Sequence, residues 1–154
     1  MPGGNETETE EERHDVLNTE DKIAIAELVA KFAHCSDYGD WDGLAQLYVP
    51  EIVTELEGLP IRYEGIAQQI EHARESDQQA GGKNRHYNFN LFIEERHGRV
   101  QAHYAFMNVN AGGQAMAAQI VVTGRMRDTV VRTEAGWKIA HRLVEFDQQF
   151  QLDF

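Results

Sequence analysis

Four β-rich segments, residues 85–95, 99–110, 115–133 and 136–147, follow one another with only "RHG", "AGGQ" and "TEAG" between them. Connections that short join neighbouring strands antiparallel, because a parallel pair needs a crossover of a dozen residues or more. The second half of the chain is therefore expected to be a meander of four long strands. The first half has the other period. From Thr19, which can cap, Glu20 and Asp21 suit a helix start, and Ile25, Leu28, Val29 and Phe32 recur at three- and four-residue spacing. That helix should run to about Tyr38, where Gly39 stops it. Asp40 is a fresh N-cap for a short second helix with Trp41, Leu44 and Tyr48 as its apolar stripe and Pro50 as its end. "EIVTELEGLPIRYEG" reads as a hairpin turning at Gly58-Leu59-Pro60, and residues 66–76 as a third helix with Ile66, Ile70 and Ala73 inward.

The order ααβ(β)αββββ excludes a doubly wound parallel sheet. It predicts an α+β fold in which one strongly bent mixed or antiparallel sheet wraps three N-terminal helices. At 154 residues there is room for one core and one domain, taken as residues 18–154 behind an acidic tail, residues 1–17.

Charge narrows the partners. The formal net charge is −12, and six carboxylates against Arg13 put much of it in the first fifteen residues, a composition that wants a partner surface. A basic stripe is missing, which disfavours nucleic acid and anionic lipid as partners. Without an apolar run of membrane-spanning length or a basic, apolar leader, the chain reads as cytoplasmic. A single cysteine, Cys35, fits a reducing compartment and reads as a small core residue. None of the seven histidines stands at metal-ligand spacing, so no metal is expected.

The candidate chemistry lies in four stretches. "HCSDYGDWDGL" packs His34, Cys35, Asp37, Asp40 and Asp42 around the two helix ends, and capping accounts for Asp40. In "RHYNFNLF", alternation puts His86, Asn88 and Asn90 on one face and Tyr87, Phe89 and Leu91 on the other. In "VQAHYAFMNVN", Ala102, Tyr104, Phe106 and Asn108 share a face that suits a pocket wall or a core. The same parity in "GWKIAHRLVEF" sets Trp137, Ile139 and His141 against Lys138, Ala140, Arg142 and Val144. Phe146, Phe150 and Phe154 form a final aromatic row that can complete a core, cover a subunit contact or close a cavity.

"CSDYGDWDGLAQLYVPE", "GI" at the third helix, "RHYNFN" and "GWKIAHR" together resemble the SnoaL-like, scytalone dehydratase-like branch of the cone-shaped NTF2-like superfamily. The resemblance spans about residues 19–150 and implies a cofactor-independent lyase or isomerase, dehydratase or cyclase in type, acting on a hydrophobic cyclic or polyketide-like molecule. It implies an acid/base dyad of Asp37 and His86, residues too far apart for spacing to pair them, and matches Arg142 to a last-strand arginine. Asn90, Tyr104, Phe106 and Asn108 join Arg142 as expected substrate contacts, with Arg142 turned into the cavity toward a ligand oxygen. An imidazole titrates near ~6.5, so it can accept a proton at neutral pH while a carboxylate behind it fixes its tautomer. Ser36, Leu56 and Phe32 stand where individual dehydratases carry polar helpers, which argues against identity with any one of them. A non-catalytic binding module, or the small subunit of a ring-hydroxylating dioxygenase, are the other functions open to such a chain. The related dehydratases imply a homo-oligomer, with a trimer ahead of a dimer.

Overall fold

The computed structural model describes residues 17–148. The first helix, α1 (Thr19–Tyr38), is capped by Asn18 rather than by Thr19. The Asn18 side chain accepts from the Asp21 amide at 2.9 Å and the Asp21 carboxylate accepts from the Asn18 amide at 3.1 Å, a reciprocal capping box. Gly39, at φ +70°, ends the helix in the left-handed region, where a side chain would be strained. Asp40 then caps α2 (Trp41–Gln46), accepting from the Gly43 amide at 2.9 Å.

α2 is shorter than its apolar stripe suggests. Tyr48 and Pro50 belong to β1 (Tyr48–Leu56), and Pro50 lies where the ladder shifts register between Tyr48 and Val53. A residue without an N–H is tolerated at such an interruption. β2 (Arg62–Glu64) folds back on β1 and leads into α3 (Gly65–Gln79). The meander follows as β3 (Asn84–Arg96), β4 (Arg99–Asn110), β5 (Gln119–Thr133) and β6 (Gly136–Phe146). β5 starts at Gln119 rather than at residue 115, the preceding stretch forming a tight turn closed by a Gly113–Met116 bridge.

The six strands form one curved sheet in the order β2-β1-β6-β5-β4-β3, antiparallel throughout except for the parallel β1–β6 pair. Three register shifts interrupt the meander, at Asn90–Leu91, at Val121 and at Ala140. Each extra residue bends its strand and increases the local twist, which makes long strands concave enough to enclose helices. On the concave side Ile25, Leu28, Val29 and Phe32 of α1 pack with Tyr104, Phe106, Met126, Val130, Ile139 and Val144. Among the described residues no helix is long and apolar enough to cross a membrane.

Candidate active site

Asp37 stands in the last turn of α1 and His86 near the start of β3. Their side chains, 8% and 13% exposed, meet at 2.6 Å between Asp37 Oδ1 and His86 Nδ1. The same carboxylate accepts the His86 backbone N–H at 2.9 and 3.1 Å, so strand and ring are held by one group. Arg85 adds a bond from its guanidinium to the Asp37 carbonyl at 3.3 Å. A carboxylate can only accept, so the ring proton belongs on Nδ1 and the lone pair on Nε2. The edge of Phe32, with ring centroids 5.4 Å apart, packs on the imidazole and limits its rotation.

His86 lines a cavity of about 150 Å³ between α1, α3 and the concave sheet. Phe32, Tyr48, Leu56, Phe106, Met126 and Val144 give it apolar walls, and Phe146 stands at the end of β6 beside them. Asn84 and Asn108 share the sheet wall with His86, and the Asn108 Oδ1 is buried with no hydrogen-bond partner among the described residues. An apolar chamber with a few convergent polar groups is the usual form of a small-molecule site. Phe106 and Asn108 thus stand with His86, as their shared parity predicts.

Arg142 also lines this cavity, but it is 3% exposed and already bound. Its Nε donates to Asp128 Oδ1 at 2.7 Å, and one Nη donates to Asp128 Oδ2 at 2.8 Å and to the Tyr104 hydroxyl at 3.2 Å. The guanidinium lies 3.8 Å above the Phe32 ring centroid. Burial works against its charge, but Asp128 and Tyr104 more than offset this, and its pKa lies well above the ordinary value. Arg142, expected to turn into the cavity toward a ligand oxygen, does line it, with its Nε and one Nη held in a buried ion pair with Asp128. Tyr104, expected as a substrate contact, differs: its hydroxyl donates to Asp128 at 2.8 Å, so it supports the ion pair and does not line the chamber. Burial pushes the Tyr104 phenol well above its usual range and Tyr48 up to about 12, so both stay neutral donors.

Two parity expectations fail at bulges. Asn90, at φ +54°, is part of the extra pair opposite Tyr104, which turns Leu91 toward the core and leaves Asn90 and Phe92 outside. Asn90 lines a wider groove, about 540 Å³, with His103, Arg125, Arg127 and Glu145, the residues that alternate with the inward-facing ones. It is therefore on the opposite side of the sheet from His86. In β6 the unpaired Ala140 puts Ile139 on the same face as Arg142 and Val144, rather than opposite them. Phe150 and Phe154 lie outside the described residues, as does the acidic tail up to residue 16.

Several site residues escaped the sequence reading. Gln69 and Thr54 join across α3 and β1 at 2.8 Å, both buried, and close one end of the chamber. His72 and Ser76 extend the same α3 face. The signal in the sequence is a stripe at helical spacing, Gln69, His72, Ala73 and Ser76, in which polar residues share the inward face with Ala73. Cys35 is half-buried, and burial, aided by Asp40, pushes its thiol up, away from reactivity.

A family model described as a SnoaL-like domain matches residues 18–143. Among solved structures, Aln2 from a Streptomyces species is 23% identical with a TM-score of 0.76, over 85% of this chain and 94% of that one. An NTF2-like protein with a cystatin-like fold from Novosphingobium aromaticivorans is 19% identical with a TM-score of 0.73, over 83% and 82%. A protein of unknown function with a cystatin-like fold from Nostoc punctiforme is 18% identical with a TM-score of 0.72, over 85% and 94%. These likenesses establish the cone-shaped fold. A comparison with curated proteins found no match.

Proposed function

The chain belongs to the SnoaL-like domain family, and on that premise we propose that it is a cofactor-independent lyase or isomerase, dehydratase or cyclase in type, acting on a hydrophobic cyclic or polyketide-like small molecule. The observation that carries the reading is the 2.6 Å contact between Asp37 and His86 at the wall of an apolar chamber. In this reaction His86 Nε2 takes a proton from a substrate carbon. Asp37, holding the Nδ1–H, keeps that lone pair aimed at the chamber and stabilises the imidazolium that forms. The low-dielectric surroundings strengthen this interaction and keep water from competing for the proton. Phe106 packs against the substrate, Asn108 offers it an amide, and Arg142 contributes to the wall as part of a neutral pair with Asp128.

The test is hydrogen exchange. Cyclic ketones and β-hydroxyketones are incubated with the protein in deuterium oxide, and loss of the carbon-bound proton is followed by NMR. General-base catalysis is worth roughly 10²–10⁴-fold, so His86→Gln should lose on that order of the exchange rate. If the wild-type chain accelerates exchange for none of them, or His86→Gln exchanges as fast, the enzyme reading fails.

The same proposal includes a homo-oligomer in the cytoplasm, with a trimer ahead of a dimer. Tyr87, Phe89 and Phe92 support it, standing 47%, 44% and 56% exposed along the outer face of β3, an apolar row that a second copy would cover. Light scattering at the 17.5 kDa of one chain would contradict it.

A further inference from the structure

α3 turns a polar stripe toward the chamber, with Asp77 at its end. Gln69, His72, Ala73 and Ser76 line it at helical spacing, and of these Gln69 spends its side chain on Thr54 and on the Tyr63 carbonyl. His72 is different. Its ring is stacked on Tyr63, with centroids 4.2 Å apart and planes 20° from parallel, so its orientation is set by packing. Neither ring nitrogen has a hydrogen-bond partner among the described residues. The chamber therefore holds two imidazoles from different elements: His86, whose Nδ1 is taken, and His72, whose nitrogens are uncommitted.

Resting on the lyase or isomerase reading above, we propose that His72 is a second substrate-contacting residue, donating its ring N–H to the carbonyl oxygen of a substrate whose neighbouring carbon gives its proton to His86. This assigns the substrate class: a carbonyl compound with an enolisable C–H. When that C–H bond breaks, its electron pair forms the C=C bond, the carbonyl π pair moves onto oxygen, and the proton goes to His86 Nε2. The oxygen, now negative, is held by the His72 N–H. On collapse the carbonyl re-forms. The electron pair then either takes the His86 proton back, on the other face of the same carbon or, where a C=C is conjugated with the enolate, at the far end of that C=C, giving an isomer, or expels a β-hydroxyl that leaves with that proton as water. Atoms and charge balance without an outside reagent.

The state of His72 suits this role. Burial holds its pKa below the ordinary imidazole value, and the nearby Glu75 offsets this only in part, so the ring is neutral at pH 7. A neutral imidazole keeps its proton while polarising an oxygen, and the two histidines are thereby separated into base and donor.

The probe is 4-nitrophenol, whose phenolate oxygen stands in for the enolate oxygen and whose absorbance reports its ionisation. With the full chain, binding should favour the phenolate. His72→Phe, which keeps the stack on Tyr63, should weaken nitrophenolate binding by about tenfold or more, the value of a hydrogen bond to a charged oxygen. His72→Gln, which restores an N–H donor, should recover most of it. Should the Phe variant fail to fold, the wild-type chain still decides, because the His72 ring nitrogen signals in ¹⁵N NMR must move when nitrophenolate is added. The inference is overturned if the Phe variant binds as well as wild type, if Gln is no better than Phe, if the nitrogen signals stay put, or if wild type takes up no nitrophenolate at millimolar concentration. The dyad is judged separately, by the exchange assay on His86→Gln, so either reading can fall while the other stands.

Discussion

Asp128→Asn is a substitution of nearly constant volume that should cost this protein more than any surface change. Asp128 is 0% exposed and accepts three hydrogen bonds, two from Arg142 at 2.7 and 2.8 Å and one from Tyr104 at 2.8 Å. The amide keeps one acceptor, turns an NH₂ group toward existing donors, and leaves a guanidinium that is only 4% exposed without its counter-charge. Breaking a buried pair by removing one partner costs about 3–5 kcal/mol. For a domain of this size each kcal/mol moves the thermal midpoint by roughly 2–4 °C, so the midpoint should fall by about 6–20 °C. Urea unfolding followed by circular dichroism gives the free energy directly, and an unchanged slope would locate the loss in the folded state. Replacing both partners, Asp128→Leu with Arg142→Met, should recover most of the loss, because an apolar pair carries no stranded charge. A cost below about 1 kcal/mol for Asp128→Asn would refute this account, since it would mean that water or movement relieves the charge.

Other substitutions test other parts of the structure. Asn18→Ala removes one arm of the α1 capping box and should cost about 1 kcal/mol in urea unfolding. Gly124→Ala would set a Cβ against the Glu145 carbonyl and 2.7 Å from the Phe106 ring, so it should destabilise by about 1–3 kcal/mol and disturb the chamber wall. Asp21 has its carboxyl held below the ordinary 3.8 by the Asn18 amide first, with Trp137 and Arg132 adding to it. The folded state therefore binds fewer protons than the unfolded one. Its stabilisation is present above that value and is lost as pH falls through the lower folded pKa. Asp21→Asn should accordingly flatten the urea midpoint against pH in that acid range, and an unchanged slope would rule the residue out. Asp37→Asn should release the Nδ1–H tautomer of His86, seen as a change in the ring ¹⁵N shifts, with little change in the thermal midpoint relative to Asp128→Asn.

The sequence by itself determined the element order, both helix ends around Gly39 and Asp40, and the meander, because period, capping and short turns are local properties. It also determined that Ala102, Tyr104, Phe106 and Asn108 share a face, since β4 runs opposite β3 and β5 without an extra residue of its own there. Alternation broke down at Asn90 and Ala140, where an unpaired residue reverses every side chain beyond it and only the partner strand determines where that residue falls. The partner of Arg142 was equally out of reach, and that of His86 came from the family resemblance and not from spacing. Asp37 lies 49 positions from His86, and Asp128 becomes a counter-ion only because β5 and β6 pair in the register that sets it opposite Arg142. The tertiary structure alone decided which polar residues face the chamber, His72 among them. Burial of a polar side chain depends on what packs over it, and a helix stripe such as Gln69, His72 and Ser76 reads as solvent-facing until a curved sheet closes around it.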